Sequence, residues 1–308
     1  MVTVPSLFSL IGRTPLVDLT SVSDLPSGVR LFAKAEFMNP SGSVKDRAAA
    51  SMLADGLERG GLTPGDGSRT IIDATSGNTG ISLAMLGAAL GVPVTLVMPE
   101  NTSAERKAIM TDFGAAIVTT DPADGSDGAF LTVRELVARD PEAYFYTDQY
   151  NNPANPRAHE TGTAAEIWEQ THGLVTHFVA AMGTSGTFTG TARGLKALIP
   201  SVRAIAVQPD SPLHGIEGTK HMPSTITPGI LDDSLIDKIQ PVSTEWAYEM
   251  TRRLARAEGL FCGVSSGANV AAALNVARDV PDGSVIVTVL PDSGSRYLSD
   301  HFWRGDRS

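Results

Sequence analysis

The sequence is short of residues that several classes of protein require. Cys262 is the only cysteine among 308 residues, so no disulfide can form within the chain, which fits a reducing cytosol. The six histidines show no H-x-x-x-H spacing, and we expect no metal site. Lys and Arg number 24 against 34 Asp and Glu, without a basic run, so nucleic acids and anionic membranes are poor partners.

Targeting and membrane-spanning segments are also missing. The N-terminus, "MVTVPSLFSLIGRTPLV", has no basic start before an apolar run, so we expect no signal peptide. Residues 81–99 carry no charge and approach the length of a membrane span. Gly91 and Pro93 interrupt them, however, and the second half is rich in β-branched residues. We predict a buried helix followed by a buried strand.

Short β-branched runs alternate with longer helical patterns. Apolar strands separated by helices are typical of parallel sheets covered on both faces, so the pattern predicts an α/β protein, and the length allows two domains. The predicted strands are 70–74, 94–98, 115–120, 177–182, 203–208 and 284–290.

Two polar loops each follow a predicted strand and open a helix. "ATSGNTG" (74–80) offers four hydroxyl or amide side chains beside backbone N–H groups, which suits a carboxylate; helix capping alone would need only one of them. "GTSGT" (183–187) suits a phosphate group. It has neither a Walker lysine nor a G-x-G-x-x-G pattern, so neither an ATPase nor a dinucleotide site is supported.

A third loop, "GVSSGA" (263–268), matches the G-x-S-x-G pattern of serine hydrolases, with Ser265 as the nucleophile. That elbow needs a buried strand before it, and the preceding residues form a charged helical pattern. Asp292 and His301 would have to complete the triad. A serine hydrolase is therefore only a remote alternative.

Lys45 stands where "NPSGSVKDR" (39–47) turns from loop to helix. Alone it would be an ordinary surface lysine. Together with a carboxylate loop and a phosphate loop that lacks its own lysine, it fits an enzyme whose phosphorylated cofactor forms a Schiff base.

These motifs resemble the cysteine synthase family of pyridoxal-phosphate enzymes, which includes cystathionine β-synthase and threonine dehydratase. The resemblance runs from "IGRTPLV" (11–17) to "DSGSRYLS" (292–299), with "NPSGSVKDR", "TSGNTG", "NPANP", "GTSGT" and "GVSSGA" in that order. It implies two three-layer parallel-sheet domains of the tryptophan-synthase-β-like fold. Residues 1–40 and 152–308 would form the large domain, and residues 41–151 the small mobile domain that carries the substrate loop.

The resemblance also implies a role for each matching residue. Lys45 would form the Schiff base with pyridoxal 5′-phosphate and later remove the substrate Cα proton. Asn78 would bind the cofactor's 3′-oxygen, and Ser265 would face its ring nitrogen. The phosphate would lie on Gly183, Thr184, Ser185, Gly186 and Thr187. The substrate carboxylate would contact Thr75, Ser76, Gly77, Thr79 and Gln149.

The implied reaction is a β-replacement. An O-activated L-serine would lose its leaving group to give an α-aminoacrylate, and sulfide or another sulfur donor would add to give L-cysteine. The activated serine is O-acetyl-L-serine or O-phospho-L-serine. At the position where acetylserine-using members have glycine, this chain has Lys220, which favours a substrate phosphate; a solvated loop lysine is the alternative. The stretch 97–107 also looks more like the B-type and phosphoserine branch.

Other members of the family remain alternatives. Cystathionine β-synthase would use homocysteine as the nucleophile, and threonine dehydratase fits the "TSGNTG" loop less well. The resemblance further implies a cytoplasmic homodimer, with a serine acetyltransferase or a sulfur-carrier protein as possible partners.

Overall fold

The β-branched runs of the sequence form strands in two separate sheets. A computed structural model describes residues 6–21, 25–75 and 77–304. Within them the strands are β1 (Leu16–Asp18), β2 (Arg30–Ala35), β3 (Thr70–Ala74), β4 (Val94–Pro99), β5 (Ala116–Thr120), β6 (Tyr144–Tyr146), β7 (His177–Ala181), β8 (Arg203–Pro209), β9 (Lys238–Val242) and β10 (Val285–Leu290).

Helices separate these strands over most of the chain. They are α1 (Lys45–Glu58), α2 (Asn78–Leu90), α3 (Ala104–Asp112), α4 (Gly125–Arg139), α5 (Ala154–Ala158), α6 (Ala164–Gln170), α7 (Gly186–Leu198), α8 (Thr244–Glu258), α9 (Val264–Ala277) and α10 (His301–Arg304). A π-helical turn, His159–Thr163, lies between α5 and α6. The uncharged stretch at 81–99 is a helix and then a strand, α2 and β4, as predicted.

The chain divides into two compact units. The first contains Met1–Ile11 and Asn39–Asn155, and the second contains Gly12–Met38 and Pro156–Ser308. The sequence placed residues 1–40 together in the large domain. In the structure, Leu7, Phe8 and Ile11 instead pack against the core of the first unit, because they are apolar and cover its helices. The mobility of residues 41–151 stays a prediction.

The first unit has a parallel sheet between two helical layers. Its described strands run in the order β5-β4-β3-β6. Successive residues of a strand point to opposite faces, so Ile71 packs among residues of α1 and α2, whereas Ile72 packs against Ala129 and Val133 of α4. The three layers predicted for this part of the chain are confirmed.

The second unit is also a three-layer sandwich. Its described strands run in the order β1-β2-β10-β7-β8-β9, and all pair in parallel except β1 with β2. Val179 packs on the side of α8 and α9, and Phe178 packs on the side of α6 and α7. The prediction of an α/β fold with parallel sheets is confirmed, with β1 as the antiparallel exception.

The N-terminal part of the second unit is held by a buried ion pair. Lys34 of β2 is inaccessible to solvent, and its Nζ lies 2.6 Å from Glu166 Oε2 on α6. The same ammonium donates to the main-chain oxygen of Thr14, and Glu166 Oε1 accepts the N–H of Arg13 at 2.9 Å. A buried lysine needs such partners, so this pair fixes the turn that leads into β1.

Candidate active site

Lys45 is the first residue of α1 and is half buried. The loop before it is closed by Gly42, whose φ of 86° lies in the left-handed region and whose N–H donates to Asn39 O at 2.7 Å. The main-chain N–H of Lys45 donates to Ser43 Oγ at 3.3 Å. The junction predicted from the sequence is therefore present, with the lysine at the helix start.

Asp46, the residue after Lys45, fastens this loop to α2. Its buried carboxylate accepts the N–H of Ser41 at 2.7 Å, the Ser41 hydroxyl, and the Ser82 hydroxyl at 2.5 Å. Ser82 also lies 3.0 Å from Asn78 O. Asp46 was not among the residues predicted from the sequence, although a carboxylate in the first turn of a helix is a recognisable signal.

The loop between β3 and α2 is organised by Thr75. Its Oγ1 accepts the N–H groups of Gly77 at 3.3 Å and Gly80 at 3.2 Å. Asn78 is the first residue of α2 and is partly exposed, while Thr79 is buried. Ser76 lies outside the described residues. The loop lies at the carboxyl end of a parallel strand, where α/β proteins bind ligands.

Gln149 joins this loop from the segment after β6. Its Oε1 accepts the Thr79 hydroxyl at 2.8 Å, and its Nε2 donates to Ala74 O at 3.0 Å. Asn155 Nδ2 donates to the main-chain oxygen of Gln149 at 2.7 Å. The structure thus brings Thr79 and Gln149 together, 70 residues apart in the chain. Since an amide has two N–H donors, Gln149 keeps a second one for a carboxylate.

The loop between β7 and α7 has the features of an anion site. Ser185 has a φ of 74°, in the left-handed region, and stands immediately before α7. Its buried hydroxyl has no hydrogen-bond partner in the part of the chain that the structure describes. Buried hydroxyl groups are normally paired, so this one is suited to a ligand oxygen at the positive end of a 13-residue helix. Thr184 is also buried.

The end of the same loop contacts a residue that the sequence analysis missed. Thr187 Oγ1 lies 3.3 Å from Nε2 of buried His159, whose Nδ1 lies 2.9 Å from Thr163 Oγ1. His159 begins the π-helical turn, a rare conformation that is frequent at functional sites. Its only sequence signal is its place in "NPANPRAH", a motif we had not assigned to the site.

Lys220 lies in a segment that packs onto the start of this loop. Its N–H donates to Met182 O at 2.8 Å. A methyl group added at Gly183 would lie 2.3 Å from Gly218 O, so only glycine fits at that position. The segment that carries Lys220 is therefore fixed beside the 183–187 loop, within the second unit.

Ser265 lies in the first turn of α9 and is buried. The helix is anchored by Asn269, whose Oδ1 accepts Ala181 N–H at 2.7 Å and whose Nδ2 donates to Val289 O at 2.8 Å. Asn269 was also missed; its signal is one amide in an apolar helix. Cys262, just before α9, is buried, and burial raises the pKa of its thiol to about 12, so it stays protonated at neutral pH.

The hydrolase alternative lacks its required geometry. No strand of the described chain leads into α9, since Cys262 forms only an isolated bridge to Ser293. Asp292 accepts the hydroxyl of Tyr297 at 2.5 Å, and the side chain of His301 lies outside the described part. Across the described residues, no group of His, Cys, Asp and Glu is arranged to hold a metal, and no helix is long and apolar enough to cross a membrane.

Comparison with known proteins decides the family. A family model described as "Pyridoxal-phosphate dependent enzyme" matches residues 7–292. The chain belongs to the pyridoxal-phosphate-dependent enzymes. Among relatives in this family, "Cysteine synthase" of Aquifex aeolicus is 52% identical over 299 residues, covering 96% of this chain and 90% of that protein. "Cysteine synthase B" of Escherichia coli is 43% identical over 306 residues, covering 97% and 98%.

A solved structure is also similar to this chain over nearly its whole length. O-acetyl serine sulfhydrylase isoform 3 from Entamoeba histolytica superimposes with a TM-score of 0.90 at 39% identity, covering 97% of this chain and 91% of that one. The predicted resemblance, fold class and cofactor are confirmed. The buried, unpartnered hydroxyl of Ser185 and the N-terminus of α7 fit the phosphate of this cofactor. The roles of the individual site residues stay predictions.

Proposed function

We propose that this enzyme is a cysteine synthase that replaces the β-substituent of an O-activated L-serine with sulfur. The observation that carries the proposal is the position of Lys45. It is the first residue of α1 and follows a loop that Asp46 fixes. The names of the relatives, cysteine synthase and O-acetyl serine sulfhydrylase, support it.

The residues of the first unit would handle the substrate. Thr75, Thr79 and the free N–H of Gln149 would bind its carboxylate, with backbone N–H groups at the start of α2. Ser76 would join them. Lys45 would hold the cofactor covalently until the substrate amine displaces it, and its freed Nζ would then accept the Cα proton and hold it during the reaction. Asn78 would orient the cofactor ring through its 3′-oxygen.

The residues of the second unit would hold the cofactor. The loop 183–187 would bind its phosphate, and Ser265 would meet the ring nitrogen with a hydroxyl. A hydroxyl cannot stabilise a fully protonated ring nitrogen as a carboxylate would. When bound, pyridoxal phosphate takes up the electron pair left at Cα. A ring whose nitrogen is not fully protonated withdraws that pair less strongly, which favours loss of the β-substituent.

A visible absorption titration tests this function. Purified protein is titrated with O-acetylserine and O-phosphoserine separately, and sulfide or homocysteine is then added. We expect a cofactor band that changes with activated serine and returns with sulfide. The variant Lys45→Ala should lose both changes, while Lys107→Ala, on α3 of the same unit, should keep them. Normal turnover by Lys45→Ala would overturn the mechanism, and preferential return with homocysteine would indicate cystathionine synthesis.

We further propose that Lys220 selects a phosphate as the leaving group. Its segment is fixed beside Gly183 by the hydrogen bond to Met182. Lys220→Ala should lower kcat/KM for O-phosphoserine by roughly 10- to 100-fold, the range for one charge-assisted hydrogen bond, and change O-acetylserine much less. Lys238→Ala, a lysine of β9 in the same unit, is the control. Equal losses with both substrates would make Lys220 a structural residue.

The assembly and location also belong to the proposal. We infer a cytoplasmic homodimer from the resemblance, with a serine acetyltransferase or a sulfur-carrier protein as possible partner. Light scattering of the purified protein tests the dimer, and a monomeric mass at working concentration would contradict it.

A further inference from the structure

Asp73 is a fully buried carboxylate one residue before the substrate loop begins. Its Oδ1 accepts the N–H of Ala74 at 2.7 Å. Its Oδ2 accepts the N–H of Gln149 at 3.2 Å and the hydroxyl of Thr147. The carboxylate therefore ties the end of β3 to the segment after β6.

This tie fixes the position of Gln149. The main chain of Gln149 is held by Asp73, and its side chain spans Ala74 O and the Thr79 hydroxyl. A shift of the main chain at residue 149 would move the side-chain amide by a similar distance. The geometry of the proposed site for the substrate carboxylate thus depends on Asp73, which lies behind that site.

The surroundings of Asp73 make its charge depend on pH near neutrality. Burial raises its pKa to about 7, against the opposing effect of hydrogen bonds from Thr147, Gln149 and Ala74, and neighbouring Asp148 raises it further. Tyr146 and Tyr150 also face it, and burial and its charge raise the pKa values of both phenols. Asp148 raises and Arg134 of α4 lowers the pKa of Tyr146, and Asp127 of α4 raises that of Tyr150.

Protonation would change the hydrogen bonds rather than simply remove a charge. The Thr147 hydroxyl has a second acceptor, Ile72 O, at 3.5 Å. A protonated Oδ2 can donate to Thr147 Oγ1 while Thr147 donates to Ile72 O. A carboxylic acid O–H oxygen is a poor acceptor, so the bond from Gln149 N–H would then be lost.

We propose that Asp73 is a positioning residue, which holds Gln149 in place for the substrate carboxylate only while it is ionised. This inference rests on the proposed function of Gln149. The consequence is an enzyme that binds carboxylates more weakly as the pH falls through the transition of Asp73, although Asp73 itself does not touch the substrate.

The test uses propionate, a carboxylate without the amino group that titrates in serine derivatives. Its inhibition constant against activated serine is measured with the holoenzyme between pH 5.5 and about 8.5. For the native protein we expect binding to weaken by about fivefold as Asp73 becomes protonated, the effect of one lost hydrogen bond. Asp73→Asn should bind weakly and show no such transition, since its amide does not titrate. An unchanged transition in Asp73→Asn would overturn the inference.

Two further variants guard against misfolding and against failure of the underlying function. Thr147→Val keeps the carboxylate but removes a bond that lowers its pKa, so the transition should move to higher pH; an unmoved transition would also contradict the inference. Gln149→Ala should bind propionate weakly at all pH values. If Gln149→Ala binds like the native protein, the proposed substrate site itself is wrong. Asp66→Asn, in an exposed loop of the same unit, controls for loss of a carboxylate.

Discussion

At the scale of single residues, the site is built from buried polar groups, which cannot form hydrogen bonds with bulk water. Asp46 and Asp73 each accept hydrogen bonds from several donors, and neither residue is exposed to water. Ser185 shows the opposite condition, with a buried hydroxyl that has no partner among the described residues. A paired group organises its neighbours, whereas an unpaired one at a helix N-terminus is able to bond a ligand atom.

Ser185→Ala separates binding from stability. We expect the affinity for pyridoxal phosphate to fall by roughly 10- to 100-fold, because one hydrogen bond to a charged phosphate is lost. The melting temperature of the cofactor-free protein should stay equal or rise, since the variant removes an unsatisfied buried hydroxyl. Fluorescence titration and thermal melts measure the two effects.

Thr191→Val provides the matched control for that variant. Thr191 lies further along α7, and its buried hydroxyl likewise has no partner within the described ranges. Its replacement should stabilise the protein and leave cofactor affinity unchanged. Loss of stability in cofactor-free Ser185→Ala, with normal affinity, would show that the hydroxyl has a structural role instead.

At the scale of elements, α7 is placed by glycines that allow its backbone to touch the π-helical turn. A methyl group at Gly190 would lie 2.0 Å from Pro156 O and 2.8 Å from His159 Cβ. One at Gly194 would lie 2.6 Å from Glu160 O. Because the helix cannot move away without disturbing residues 183–187, the packing of α7 and the proposed phosphate site are linked.

Gly190→Ala should therefore destabilise the protein by about 1–3 kcal/mol, the usual cost of overpacking, although alanine favours helix more than glycine does. It should also weaken cofactor binding, because the start of α7 is displaced. Ala197→Gly, on the exposed side of the same helix, should cost about 1 kcal/mol and leave cofactor affinity unchanged. Denaturant melts and cofactor titrations measure both. Native affinity in Gly190→Ala would show that the loop is independent of this contact.

At the scale of the whole molecule, the acidic balance of the chain gives no guide to its ligands. The net charge is −10, yet the proposed site binds a carboxylate and a phosphate. Local backbone N–H groups at the starts of α2 and α7 supply the positive potential instead. Individual buried groups also decide how stability depends on pH.

Asp73 should make the protein less stable as the pH rises. Its pKa is about 7 in the folded protein, above its ordinary value of 3.8, so the native state binds the proton more tightly than the unfolded state does. The stability contribution is complete below about pH 4 and is lost as the pH rises to about 7, an effect on the order of 4 kcal/mol. Denaturant melts of the cofactor-free protein across this range should show a smaller decline for Asp73→Asn. An identical slope in the two proteins would contradict the assignment.

Local sequence patterns were enough to predict the architecture and the set of site motifs. Alternation of apolar runs and helical patterns gave the parallel sheets, because strands buried on both faces must be continuously apolar. It did not predict β1, β2, β6 or β9. Lys34 interrupts β2, and its burial depends on the distant Glu166; β9 contains Gln240 and Pro241. Lys45 and the loops at 74–80 and 183–187 were visible because their chemistry is local.

The residues that support that site could be recognised only from the tertiary structure. Asp73, Thr147 and Gln149 meet because β3 and β6 are neighbours in the sheet, and His159 meets Thr187 because α7 packs on the π-helical turn. Helix starts and loop chemistry depend on a few consecutive residues, so a sequence can specify them directly. The partners of a buried polar group come from elements far apart in the chain, and folding alone selects them.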